Sequence, residues 1–153
     1  TALGMAIPER AGEVEQRSKA LADSLTSLDL EIRNLLGPHE GKSFIATHSA
    51  WSYFARRYRL EEAGVIHSSP GREPSGRELA RLTTLARERS VTCLFTEPQL
   101  GDRAARALAN ELSLPVRVLD PLGGPAVEGR DGYMALLRYN ARQLAEGLDG
   151  GGP

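Results

Sequence analysis

Apolar and polar positions follow two different periods along this chain. From Glu13 to Leu36 the apolar residues Val14, Leu21, Leu25, Leu28, Ile32 and Leu35 fall mostly three and four apart, with charged residues between them. That spacing lines up one stripe of an α-helix and predicts a single long helix over 13–36. Gly37 and Pro38 stop it, as a C-terminal glycine followed by a residue without an N–H would. Residues 1–12 are mixed, carry Gly4, Pro8 and Gly12, and are expected to form a loose lead-in.

Beyond Pro38 the pattern becomes short apolar runs separated by amphipathic stretches. Ser43–Thr47, Ala63–Ile66, Val91–Thr96 and Pro115–Leu119 read as strands, and Ala50–Arg59, Arg77–Arg89, Asp102–Leu112 and Gly132–Leu148 as helices. Ser75 and Glu78 stand three apart after Pro74, the spacing of a capping box that starts the middle helix. Strand and helix alternating at repeats of roughly 25 residues mean βαβ crossovers, and these demand a parallel sheet with helices on its faces. The expected fold class is therefore α/β: a four-stranded parallel, doubly wound sheet over 43–148, with the long helix in front. The Gly-rich tail at 149–153 is expected to fray.

Length and composition narrow the functions open to such a domain. The chain has 153 residues, 41% hydrophobic and 25% charged, which fits one globular unit. Nineteen basic against twenty acidic side chains leave a formal charge of −1. No large field draws phosphate backbone or anionic lipid, so nucleic acid is not an expected partner. The lone cysteine, Cys93, permits no internal disulfide and is expected to be a buried core thiol. No apolar run approaches the ~20 residues of a membrane span, and no signal-peptide pattern opens the sequence.

In an open α/β sheet, ligands bind beyond the carboxyl ends of the strands. The four expected strands end at His48, His67, Glu97 and Asp120, so each carboxyl end offers an imidazole or a carboxylate. These are donors for a divalent cation such as Zn²⁺ or Mn²⁺. A single polar residue at a strand end is commonly only a cap or a solvated turn residue. His67, followed by Ser68, Ser69 and Pro70, fits the solvated reading best, Glu97 fits a supporting acceptor behind a ligand, and His39 looks like surface. Other signatures fail. Gly37–Ser43 (GPHEGKS) is one residue short of a phosphate-binding loop and runs from helix to strand, the wrong direction, and no GxGxxG follows a strand. Ser49 is expected to cap the next helix, and Trp51, Phe54 and Tyr58 to pack it onto the sheet.

The runs FIATHSAWSYFARRYRL (Phe44–Leu60), PGREPSGRELARL (Pro70–Leu82), TCLFTEPQL (Thr92–Leu100) and VLDPLG (Val118–Gly123) resemble the carboxyl-terminal lobe of zinc/manganese ABC-transporter solute-binding proteins. SLTSLDLEIRNLL (Ser24–Leu36) resembles the end of the helix joining the two lobes in that family. The order HxAWxYF, EPS, EPQ, LDPLG is the specific signal, and His48 with LDPLG looks more like the zinc-type members. The resemblance implies one lobe of a two-lobed protein, preceded by an interlobe helix at 13–36. It implies capture of a metal ion, zinc with manganese as the alternative, in the periplasm or at the cell surface, and delivery to an ABC permease membrane subunit. Carried over by motif, the metal ligands are His48 and Asp120; His67 gains no such support. The amino-terminal lobe would supply two further ligands, so this chain would hold half a site. Some zinc-type members pair a cysteine at the place of Cys93 with one in the last helix; this chain has none there, which implies a free thiol. Two other readings compete: a small metal-assisted hydrolase using the same strand-end cluster, and a metal-free interaction module, including a homo-oligomer built on apolar surface along the long helix.

Overall fold

The computed structural model of the chain describes residues 2–67, 73–125 and 127–150. Its centre is a four-stranded sheet made of β1 (Ser43–Ala46), β2 (Glu61–Val65), β3 (Cys93–Thr96) and β4 (Val116–Val118), in the order β2-β1-β3-β4. Every neighbouring pair is parallel. The two central strands, β1 and β3, are covered on both faces, so their sequences are continuous apolar runs without alternation. Phe44, Ala46, Cys93 and Phe95 belong to one core cluster and Ile45 and Leu94 to the other. The first cluster lies under α2 (Ala11–Leu36), α3 (Ser52–Arg57) and α6 (Tyr133–Leu148), and the second under α4 (Gly76–Glu88) and α5 (Arg103–Leu112). The expected α/β architecture with helices on both faces is thus present. Residues 68–72, the expected solvated turn after His67, lie outside the described residues, as do Ala126 and the tail at 151–153.

Several local expectations are corrected. The lead-in is helical: α1 (Ala2–Ala6) and a 3-10 turn (Pro8–Arg10) run into α2, which starts at Ala11. Pro8 opens the 3-10 turn, where its missing N–H has no helical partner to lose. Gly37 does not end α2 in a left-handed conformation; its φ is −52° and the chain tightens into a second 3-10 turn, Gly37–His39. Only Leu28, Ile32 and Leu36 of α2 are buried, against α6, whereas Leu21, Leu25 and Leu35 are exposed. The helix touches the sheet domain with its last turns only, so only that short stripe is covered.

α3 is about one turn shorter than expected, losing two residues at each end, and Ser49 provides no side-chain cap to it. β2 begins at Glu61, because an edge strand leaves one flank open and tolerates the pair Glu61–Glu62. The capping box of α4 is present, with the Glu78 N–H donating to Ser75 Oγ at 3.3 Å and the Ser75 N–H to Glu78 Oε2 at 2.8 Å. His39 is buried, contrary to the surface reading, and burial pushes its imidazole below its usual range. It lies 3.4 Å from Lys42 Nζ, which donates to the Leu148 carbonyl at 2.8 Å and so closes the end of α6. Asp149, placed in the fraying tail by the sequence, is ordered by its own N–H bond to the Ala145 carbonyl.

Two contacts hold the helices in place, one between helices and one against the sheet. Asp29 of α2 accepts from Arg57 Nε at 3.0 Å, Arg33 Nε at 2.9 Å and Tyr58 Oη at 3.2 Å. The Arg57 and Arg33 bonds hold its carboxyl down at about 2, so this clasp between α2 and the end of α3 is complete above pH 4 and is lost as the pH falls toward that value. α6 crosses β3 so closely that a Cβ on Gly147 would stand 2.7 Å from Phe95 Cζ and 2.8 Å from Cys93 Sγ. Gly147→Ala should therefore destabilise the fold by about 1–3 kcal/mol in urea denaturation, although alanine is the better helix former; a neutral or stabilising result would show that the helix can lift away.

Candidate metal-binding site

The strand order decides where a crevice forms. β1 has β2 on one side and β3 on the other, so the connections leaving β1 and β3 depart to opposite sides, and their carboxyl ends flank the switch point. His48 follows β1 and Glu97 follows β3 at this place. Asp120 follows β4, on the far side of β3. Parallel register keeps these ends level, since Ala46 pairs with Phe95 and Thr96 with Val118. Side-chain bonds pin the ends to each other: Thr47 Oγ1 donates to the Phe95 carbonyl at 2.9 Å, and Thr96 Oγ1 to the Arg117 carbonyl at 3.3 Å.

His48 and Glu97 are joined directly. The His48 Nδ1 to Glu97 Oε1 distance is 2.5 Å, with the imidazole side chain 43% exposed and the carboxylate side chain 2% exposed. A carboxylate can only accept, so Nδ1 donates, and the lone pair of a neutral ring then resides on Nε2. Burial pushes the Glu97 carboxyl above its usual range against the pull of His48, and the charge of Asp120 adds to the push. The Trp51 indole N–H lies beside the same carboxylate without a hydrogen bond of ordinary geometry.

Asp120 is buried, and the DPLG turn is folded around it. Its Oδ1 accepts from Gln99 Nε2 at 2.9 Å, the Leu122 N–H at 3.1 Å and the Gly123 N–H at 3.0 Å. Its Oδ2 accepts from Arg130 at 2.8 Å. Burial alone would push the carboxyl up, but the bonds from Gln99, Gly123 and Leu122 and the charge of Arg130 outweigh it and hold Asp120 below the usual range. Gly123 has φ +59°, and a Cβ there would meet the Arg130 carbonyl at 2.5 Å; the turn closes only with glycine. Asn140 of α6 holds the Asp120 backbone from behind, accepting its N–H and donating to its carbonyl, both at 2.8 Å.

The strand-end residues named from the sequence are thus separated into two groups. His48, Glu97 and Asp120 share one rim, with Glu97 between the other two and under the electrostatic influence of both. His67 follows the edge strand β2, where its N–H donates to the Thr47 carbonyl at 2.8 Å, and β1 lies between it and β3. Sequence reasoning missed Glu62 of β2, whose carboxyl is pushed up by burial and feels both His48 and Glu97. It also missed Arg130 and Asn140. No motif marks these three, and Glu62 looks like an ordinary exposed residue of an edge strand. Among the described residues no group of three or more His, Cys, Asp or Glu side chains is placed to hold a metal ion by itself. Cys93 is a free buried thiol whose burial pushes it up to about 12, so it supplies no thiolate donor.

A parallel α/β sheet with an imidazole and a carboxylate at the carboxyl ends of its central strands has the form in which open α/β domains place a ligand crevice. The chain belongs to the family described as zinc-uptake complex component A, periplasmic (ZnuA), whose pattern matches residues 1–147. It is 32% identical over 146 residues to the high-affinity zinc uptake system protein ZnuA of Brucella abortus, covering 95% of this chain and 44% of that protein. A crystal structure of ZnuA superposes with a TM-score of 0.80 at 30% identity, over 95% of this chain and 53% of the other. A zinc-bound ZnuA deletion mutant superposes with a TM-score of 0.76 at 30% identity, over 94% of this chain and 52% of the other. The chain therefore spans about half the length of these relatives. The family is a zinc-binding, metal-transporting one of solute-binding proteins and not one of enzymes, which removes the hydrolase reading.

The reciprocal clasp of Asn140 on Asp120 generates a stability prediction. Asn140→Ala leaves a buried N–H and a buried carbonyl without partners, and should cost roughly 2–4 kcal/mol in urea denaturation. A loss under ~0.5 kcal/mol would mean that water replaces the amide.

Proposed function

We propose that this chain is a metal-capturing lobe that uses His48 and Asp120 as ligands for zinc, with manganese as the weaker alternative. The single observation that carries the reading is the His48–Glu97–Asp120 rim at the switch point. Glu97 orients the imidazole through Nδ1, leaving Nε2 as the donor, which is the arrangement in which metal-ligating histidines are usually held. Asp120 keeps its negative charge because its hydrogen bonds outweigh burial. Imidazole nitrogen and carboxylate oxygen suit zinc, and the donor set fits the ion as far as two ligands go.

Two ligands do not complete a zinc site. The remaining donors come from a second lobe, in keeping with relatives about twice as long as this chain, and α2 is the segment that leads toward it. Tyr53, Leu122 and Tyr133 are exposed beside the site and offer an apolar rim on which such a lobe closes. In this reading the protein works outside the cytoplasmic membrane and hands its ion to an ABC permease membrane subunit. No bond is made or broken; the ion is cargo. The free chain should capture zinc weakly and hold manganese more weakly still, since soft-to-borderline imidazole favours zinc.

Calorimetric titration of the metal-free chain with Zn²⁺ tests this. Micromolar binding is expected, weakened by about tenfold or more in His48→Ala and in Asp120→Ala, and by roughly tenfold in Glu97→Gln, where the imidazole loses its anionic acceptor. Nanomolar affinity, or affinity unmoved by the first two substitutions, would contradict the assignment.

A further inference from the structure

We propose that Arg130 is the resident cation of Asp120, displaced when a metal ion takes Oδ2, and that this exchange limits how tightly the lobe holds its cargo. The inference rests on the reading of Asp120 as a ligand. Three donors already occupy Oδ1, from Gln99, Leu122 and Gly123. The oxygen left for an ion is Oδ2, and Arg130 sits on it at 2.8 Å. A guanidinium and a dication on one buried carboxylate oxygen repel each other strongly, because little water screens them.

Arg130 is placed by its backbone. The Gly124 N–H donates to its carbonyl at 3.1 Å, and its own N–H donates to the Val127 carbonyl at 2.9 Å. Its side chain is held incompletely: the guanidinium lies 4.8 Å from the centre of the Tyr139 ring, while its buried Nε has no partner. What it gives up by moving is its bond to Asp120, and there the arriving ion replaces it as counter-charge. Space to move lies beside it, in a cavity of about 750 Å³ lined by Arg130, Asp131, Tyr58 and Tyr133 among others. In the metal-free lobe Arg130 supplies the counter-charge of a buried carboxylate whose other partners are neutral donors. On metal arrival it swings out, and on release it returns, so that the exchange favours discharge of the ion.

The test uses the 153-residue chain and its Arg130→Gln and Arg130→Lys variants, with zinc chloride titrated by calorimetry and thermal unfolding followed with and without metal. Arg130→Gln should bind zinc about tenfold tighter. Its metal-free midpoint should fall, since Asp120 loses its charged partner, so zinc raises the midpoint more than in the parent. Arg130→Lys, which keeps the charge, should stay within about threefold of the parent affinity. Unchanged or weaker binding by Arg130→Gln overturns the proposal. Should that variant not fold, nitrogen-15 spectra of the unsubstituted chain decide: zinc should expose the protected Arg130 Nε–H to solvent exchange, and an unaltered resonance at saturating zinc overturns the exchange. His48→Ala and Asp120→Asn, titrated alongside, separate the two failures. If both retain the parent affinity the ligand assignment is wrong; if they lose it while Arg130→Gln does not gain, only the role of Arg130 is wrong.

Discussion

Level pairing of β1, β3 and β4 is the constraint from which the rest of this molecule follows. Neighbouring strands stand about 4.8 Å apart, so β1 and β4, on either side of β3, present their ends roughly 10 Å from each other. Side chains leaving such ends can lean toward a common point above β3, provided that the register does not slip. The pairing of Ala46 with Phe95 and of Thr96 with Val118 sets that register, and the Thr47 and Thr96 hydroxyls reinforce it. A slip of one residue in β3 would turn Glu97 to the other face and remove the acceptor behind His48.

Charge placement at the rim is a compromise between burial and reach. Glu97 is almost wholly buried and its carboxyl is pushed up, yet it sits next to a half-exposed imidazole that it can orient. Asp120 is as deeply buried but is held down, because the turn that follows it aims two backbone N–H groups, and the EPQ glutamine a third donor, at Oδ1. Two carboxylates at neighbouring strand ends thus differ in character through the number of donors that each receives.

Much of the fold was legible in the sequence, for identifiable reasons. The central strands are buried on both faces and therefore read as unbroken apolar runs, and the capping box at Ser75 is a local hydrogen-bond pattern that needs no tertiary context. Parallel strands must all end on the same side, so four polar residues on one edge could be read from the sequence; that His48, Glu97 and Asp120 share one rim follows from β1, β3 and β4 being neighbours. What could not be read depends on contacts distant in sequence. Leu36 is buried where Leu35 was expected, because α6, more than a hundred residues later, selects which side of α2 is covered. His39 is buried for the same reason, beneath the end of α6 and its Lys42 cap. The fourth strand end, His67, already the weakest candidate in the sequence, stands apart because β2 is an edge strand, which sequence order does not show. Arg130 was invisible because its closeness to Asp120 depends on a turn that only Gly123 permits.

The most direct measurement is diffraction from zinc-soaked crystals of the chain, collected at the zinc absorption edge to locate the metal by its anomalous signal. One ion should lie ~2.0–2.2 Å from both His48 Nε2 and an Asp120 oxygen, above Glu97. An ion bound at His67 or His39, with His48 and Asp120 untouched, would contradict the reading of this rim as the site.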